Sequence, residues 1–225
     1  MVIRILTVVF VGDIARSELS AFRGAMAEKA GLEHELFHNH NNAEGAATGY
    51  HYRYPLIQYK LLGKQPTLVC VNEGIEGLQV FFGQADWTLT MRGRPIALRI
   101  ADMQLQTFSP SVAAGLQHRY RLVDWQALNQ KNYADYKVLD GLVAQTAFLQ
   151  KKLIGCIIAF ASGIDWFIET PIEVIITGFA AHSRNYKQKT AVMTFDVQFK
   201  TNVQLPLGIG IGKGASLGFG VLACG

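Results

Sequence analysis

Val2 to Val11 alternates apolar and β-branched residues around Arg4 and Thr7, which predicts a strand with at least one buried face. Gly12-Asp13 ends that pattern, and the period then changes. Ala15, Leu19, Phe22, Met26 and Ala30 recur at helical spacing, and Gly31 suits a helix C-cap. A polar stretch from Glu33 to Gly49 follows, containing His34, His38 and His40. Tyr52 to Lys60 and Thr67 to Val71 read as strands joined by a turn around Gly63 and Pro66. Glu73 to Phe82 predicts a short helix, and Trp87 to Met91 a further strand.

The order β-α-β-β-α-β predicts a ferredoxin-like (RRM-like) unit, with two helices on one face of a four-stranded antiparallel sheet. Arg92-Gly93-Arg94-Pro95 reads as a linker, which sets the expected domains at 1–94 and 95–225. The second part repeats the theme less cleanly. Ile96 to Phe108 and Gln117 to Gln126 look like strands, and Leu142, Thr146, Leu149, Leu153, Cys156 and Phe160 mark one stripe of a long helix ending near Ser162-Gly163. Ile172 to Ala181 and Thr190 to Val203 predict two late strands. After Pro206, a glycine-rich loop stands where a second helix is expected. The fold class is therefore α+β: two tandem ferredoxin-like domains, the second irregular.

Composition narrows the class. In 225 residues, 50% hydrophobic against 17% charged content describes folded protein rather than a disordered tail. The apolar run Leu153 to Ala161 is too short to span a bilayer, and no small-residue cleavage site follows the N-terminal apolar stretch. A soluble, cytoplasmic protein with no membrane partner is expected. Cys70, Cys156 and Cys224 lie far apart with no paired spacing, so neither a disulfide framework nor a zinc site is expected. Of the net charge of +4, residues 171–225 hold five Lys/Arg against two Asp/Glu, whereas residues 1–170 hold 16 against 15. Basic charge beside a glycine-rich loop favours a polyanionic partner.

That loop runs Leu207-Gly208-Ile209-Gly210-Ile211-Gly212-Lys213-Gly214-Ala215-Ser216-Leu217-Gly218-Phe219-Gly220-Val221. Glycines let a backbone approach a ligand closely, and successive N–H groups can form an anion-binding concavity to which Lys213 adds charge. A Walker A loop needs Ser or Thr after the lysine, and Gly214 stands there. A dinucleotide fingerprint needs a strand before and a helix after, and this loop lies near the chain end. A flexible or hairpin-forming glycine tract is the alternative that composition leaves open.

Two tandem ferredoxin-like units with a G-x-G-x-G-K-G…G-F-G loop resemble the repeat-processing endoribonucleases of CRISPR systems, within the RAMP superfamily. Tyr52-Arg53-Tyr54-Pro55-Leu56-Ile57-Gln58-Tyr59-Lys60, followed by Glu73-Gly74, is similar to a segment of one branch of that family. The resemblance implies binding of a repeat hairpin in precursor CRISPR RNA and a cut at its 3′ base, with no metal and no cofactor. The resemblance further implies that a ribose 2′-hydroxyl attacks the adjacent phosphate, leaving a 2′,3′-cyclic phosphate and a 5′-hydroxyl. A homodimer or a CRISPR effector complex is the expected assembly.

Such chemistry needs a base for the 2′-hydroxyl proton and an acid for the leaving 5′-oxygen, and histidine serves both near neutral pH. His38 and His40, two apart in His-Asn-His, would face one side if the segment were extended. On residues alone the pair is acid/base machinery, part of a metal site with Glu33, Glu35, His34 or Glu44, or merely a polar loop. The resemblance carries the catalytic role to His40, with His38 beside it and Tyr50 the nearest assisting hydroxyl. Arg53, Gln58 and Lys60 offer phosphate contacts from an extended strand, or form its solvated edge. Arg184, Lys187 and Lys189 fall in an expected turn, Ser183 to Lys189, a basic tip suited to an RNA stem. With Gly208, Gly210, Gly212, Lys213, Gly214, Gly218 and Gly220 they form the candidate RNA-binding set. Two other readings share the sequence: a crRNA-binding subunit that cuts nothing, and a nucleotide-binding enzyme using the loop for phosphate.

Overall fold

The structure is a computed structural model that describes residues 1–31, 34–37, 54–186 and 190–225. The backbone divides into two compact units, Val2–Phe108 and Ser109–Gly225.

The first unit runs β1 (Ile3–Phe10), α1 (Leu19–Ala30), β2 (Ile57–Leu62), β3 (Gln65–Val71), α2 (Glu73–Phe82), β4 (Thr88–Met91), β5 (Arg94–Ala97) and β6 (Ile100–Phe108). Its main sheet has the order β2-β3-β1-β6, every pair antiparallel. That is the ferredoxin-like order. Alternation places Leu6, Val8 and Phe10 of β1 with Ile57 and Tyr59 of β2 on one face, where they pack with Phe22 and Met26 of α1 and Leu78 and Phe81 of α2. Phe22 meets Phe10 and Tyr59 edge-on, at centroid separations of 6.1 and 6.0 Å. Truncating a ring buried this way costs about 3–5 kcal/mol.

The expected boundary at residue 94 is displaced, and the reason is strand pairing. Thr88–Met91 does not join the main sheet but forms a hairpin with β5, Met91 opposite Arg94. Arg92 and Gly93 both take positive φ, 52° and 75°, as a two-residue turn between twisted strands requires. What reads as a linker is this turn. The fourth strand of the sheet is β6, in register with β1 from Ile3↔Phe108 to Phe10↔Ile100, so the unit extends to Phe108.

The second unit contains β7 (Ser111–Val112), β8 (His118–Trp125), α3 (Gln130–Lys137), α4 (Gly141–Gly163), β9 (Val174–Tyr186), β10 (Thr190–Thr201), β11 (Val203–Gln204) and β12 (Val221–Cys224). Its sheet order is β12-β8-β10-β9, again fully antiparallel. With α4 as first helix, this repeats the order of the first unit. In place of a second helix stands the glycine loop, whose helical content is one 3₁₀ turn, Ala215–Leu217.

One sheet face, bearing Leu122, Trp125, Phe195, Val197 and Phe199, is buried, as is the α4 stripe Leu149, Leu153, Ile157 and Phe160. The stripe is narrower than the sequence suggests, since Leu142 is exposed. By length and composition alone, α4 is the one described helix long and apolar enough to cross a membrane. The sequence run Leu153 to Ala161 understated it, because helical structure continues through Lys151 and Lys152 to Gly141.

Candidate nucleic-acid interface

The glycine loop is built from alternation. Ile209, Ile211, Ala215, Leu217 and Phe219 are buried and fasten the loop to the core of the second unit. The N–H groups of Gly208, Ile211, Ala215, Leu217, Phe219 and Gly220 donate to the carbonyls of Leu222, Gly220, Gly212, Gly214, Gly214 and Asp124. These six N–H groups are committed within the unit and are not offered to a ligand. Glycine is required sterically at two points. A Cβ on Gly212 (φ +88°) would lie 2.6 Å from Trp125 Nε1, and a Cβ on Gly220 (φ +61°) would enter the Ile211 carbonyl oxygen. Lys213 differs from its neighbours: its backbone pairs with Gln126 and its residue is exposed. Gln126 Nε2 is buried and makes no hydrogen bond among the described residues, while the buried Trp125 Nε1 lies against the Cys156 thiol.

Gly220 leads to an irregularity in β8. The ladder between β8 and β10 shifts register between Phe195 and Val197, and Asp124 takes φ +51° there. Asp124 is buried and accepts from Arg184 Nε at 2.7 Å and from Thr194 Oγ1 at 3.4 Å. Its N–H donates to Asp196 Oδ1 (2.9 Å), and its carbonyl accepts from Gly220. Asp196 also receives Arg121 at 2.8 Å and has His182 Nε2 at 3.8 Å. Partial burial pushes the Asp196 carboxyl up, but the Asp124 N–H, Arg121 and His182 outweigh it and hold it below the usual carboxylate range.

These groups share the sheet face opposite Tyr120 and Phe199, and that face is basic. Arg119 and Arg121 alternate with Tyr120 along β8, and Lys200 stands directly across from Arg119. Like charges opposed on neighbouring strands repel, so this arrangement suits an anion placed over it. The sequence signal was present in His118-Arg119-Tyr120-Arg121, where the arginines two apart fall on one strand face.

The predicted residues scatter. His38, His40, Tyr50, Arg53, Lys187 and Lys189 lie outside the described residues. Lys60 is on an edge strand, yet it is buried, 5% exposed, and burial pushes its amine down to about 7. It is neither a solvated edge nor an exposed phosphate contact. Gln58 is buried too, donating to the Tyr54 hydroxyl (2.8 Å) and the Pro55 carbonyl (3.1 Å). Tyr59 donates to the Phe37 carbonyl at 3.2 Å. Tyr54 to Lys60 thus presents core on one side and buried polar groups on the other. Arg184 is not in a turn, because β9 runs on to Tyr186 and places Arg184 opposite Val192.

A cavity of about 710 Å³ lies within the second unit between α3, the paired β9 and β10, and Lys213. Tyr133 lines it from α3, a helix missing from the sequence reading. The helix is polar throughout, and its signal is the cap: Asn129 Oδ1 accepts from the Asn132 N–H at 2.8 Å. Among the described residues, no group of three or more His, Cys, Asp or Glu is placed to hold a metal ion.

Known proteins resemble the chain throughout its length. Residues 1–109 match the family model for the Cas6b N-terminal domain, and residues 113–224 match that for the Cas6b C-terminal domain. An uncharacterised protein of Methanocaldococcus jannaschii is 31% identical over 103 residues, covering 45% of this chain and 69% of the relative. A crystal structure of Cas6b superposes over all of both chains with a TM-score of 0.84 at 23% identity. A crystal structure of the CRISPR RNA processing endoribonuclease Cas6b does so with a TM-score of 0.73 at 21% identity. A type IV Cas6 crRNA endonuclease shares the fold at 10% identity, with a TM-score of 0.57.

Proposed function

Because the chain belongs to the Cas6b family across both of its units, we propose that it is an endoribonuclease that binds the repeat of precursor CRISPR RNA and cleaves it. The observation that carries this reading is the pair of family matches, which leaves almost no part of the chain unassigned. The basic face of the second sheet supports it, since Arg119, Arg121 and Lys200 offer phosphate contacts that read no sequence. Lys213 adds a further exposed cation.

In this reading the reaction is internal transfer. The 2′-hydroxyl oxygen bonds to the adjacent phosphorus, the bond from phosphorus to the 5′-oxygen breaks, and a 2′,3′-cyclic phosphate and a 5′-hydroxyl result. No water is consumed. His40 takes the 2′-hydroxyl proton or returns one to the leaving oxygen, His38 serves the complementary step, and Tyr50 steadies the phosphate. A metal ion is unnecessary in this scheme because both proton transfers fall to side chains. The substrate is a repeat hairpin, and the protein acts as a homodimer or within an effector complex.

The deciding experiment incubates the protein with repeat RNA in EDTA, alongside RNA carrying a single 2′-deoxy nucleotide at the cut. Cleavage that persists in EDTA and stops with the deoxy nucleotide is expected. Cleavage that requires added metal overturns the scheme. If His40→Ala binds repeat RNA but still cuts at the wild-type rate, the acid/base assignment fails. If the wild-type protein binds without cutting, the chain is a crRNA-binding subunit.

A further inference from the structure

The cavity beside Lys213 has a composition that the cleavage chemistry does not call for. Tyr133 contributes an aromatic ring that remains 37% exposed, and Lys137 Nζ sits 5.1 Å from its centroid. Val192 and Met193 of β10 give it apolar surface, and Asn129 and Gln130 bring amide groups from the start of α3. Lys213 lines it from the glycine loop, and no carboxylate side chain does. At about 710 Å³ it lies within the range of about 300–1,000 Å³ typical of small-ligand sites.

Each part matches one part of a nucleotide. An aromatic face accepts any base by stacking, apolar walls exclude water from it, amides meet its polar edge, and an ammonium meets its phosphate. A carboxylate in the lining would repel that phosphate, and none is there. We infer that this cavity receives one unstacked nucleotide of the bound RNA, with its base on Tyr133 and its phosphate at Lys213. A protein side chain would fill the apolar part but leave the lysine and the Gln130 amide unused.

The inference rests on the RNA-processing reading, and the test separates the two. Repeat RNAs are prepared with a single abasic site at each position in turn, and their affinity for the full chain is measured by anisotropy. At one position the abasic site is expected to weaken binding about tenfold. Tyr133→Ala is expected to weaken binding of intact RNA equally and to be indifferent to the abasic site at that position alone. Tyr133→Trp restores wild-type affinity.

Should Tyr133→Ala lower the melting temperature, Ser183→Phe, which fills the cavity from an exposed position on β9, must reproduce the loss. Wild-type affinity in both variants overturns the site while leaving RNA processing intact. A Tyr133→Ala loss that adds to every abasic position also overturns it. A wild-type chain that binds no repeat RNA removes both readings together.

Discussion

Arg184 donates through Nε to Asp124 Oδ1 at 2.7 Å, so one of the most basic-looking positions of the late strands is committed to a buried carboxylate. The hydrogen bond and the nearby Asp124 charge raise the Arg184 guanidinium above its ordinary range. The pair has consequences for the loop, because the Asp124 carbonyl receives the Gly220 N–H at 3.2 Å. Arg184→Ala takes the 2.7 Å donor from a buried carboxylate, and about 1–3 kcal/mol of stability is expected to be lost. Urea unfolding measures this. A variant as stable as wild type, with weakened RNA binding, would show instead that Arg184 serves the ligand.

Gly220 and Gly212 divide the loop's glycines by function. Gly220→Ala must displace the Ile211 carbonyl and hold a side chain at positive φ, and Gly212→Ala presses on Trp125. Each is expected to lose about 2–4 kcal/mol, combining overpacking with backbone strain. Gly208 also has positive φ but nothing within 4 Å of its added Cβ, so Gly208→Ala is expected to lose only about 1–2 kcal/mol. Thermal melts of the three variants check the order. Equal losses would mean that close packing is not what these glycines serve.

Lys213 belongs to the other class. It is exposed and makes no ion pair among the described residues, so Lys213→Ala is expected to leave the melt unchanged. Its loss should weaken repeat-RNA binding and reduce the slope of log affinity against log salt by roughly one. An unchanged slope would place Lys213 away from the RNA.

How far these roles could be read in advance depended on what encoded them. The first helix and its neighbouring strands were legible because their apolar periods are clean, and Phe22, Met26 and Leu78 are core as that periodicity requires. The fourth strand of the first unit was misplaced because two segments, Thr88–Met91 and Ile100–Phe108, both alternate. Only pairing with β1 separates them. β12 has four residues, too few for a period to show, and its place is set by Leu122 opposite Leu222. Glycine composition announced the loop but not its purpose, since close approach to a ligand and close approach to Trp125 ask for the same residue. Tyr133 was hidden because α3 has no apolar stripe, and Lys60 because a strand pattern does not reveal that both faces of β2 are buried.

Lys60 supplies the last prediction. Burial lowers its amine from 10.5 to about 7, so above neutrality the folded chain binds fewer protons here than the unfolded chain. The sign follows from linkage: stability rises with pH wherever the unfolded state holds more protons. This contribution is least favourable below about pH 7, where both states carry the charge, and improves from about 7 towards 10.5. Lys60→Met removes the charge and keeps much of the stem. Its Tm relative to that of wild type is expected to be highest at pH 6 to 7 and to fall as pH rises to 10. Melts of both proteins across that range measure it. A constant gap would show that Lys60 keeps its charge in the fold, held by a partner strong enough to offset its burial.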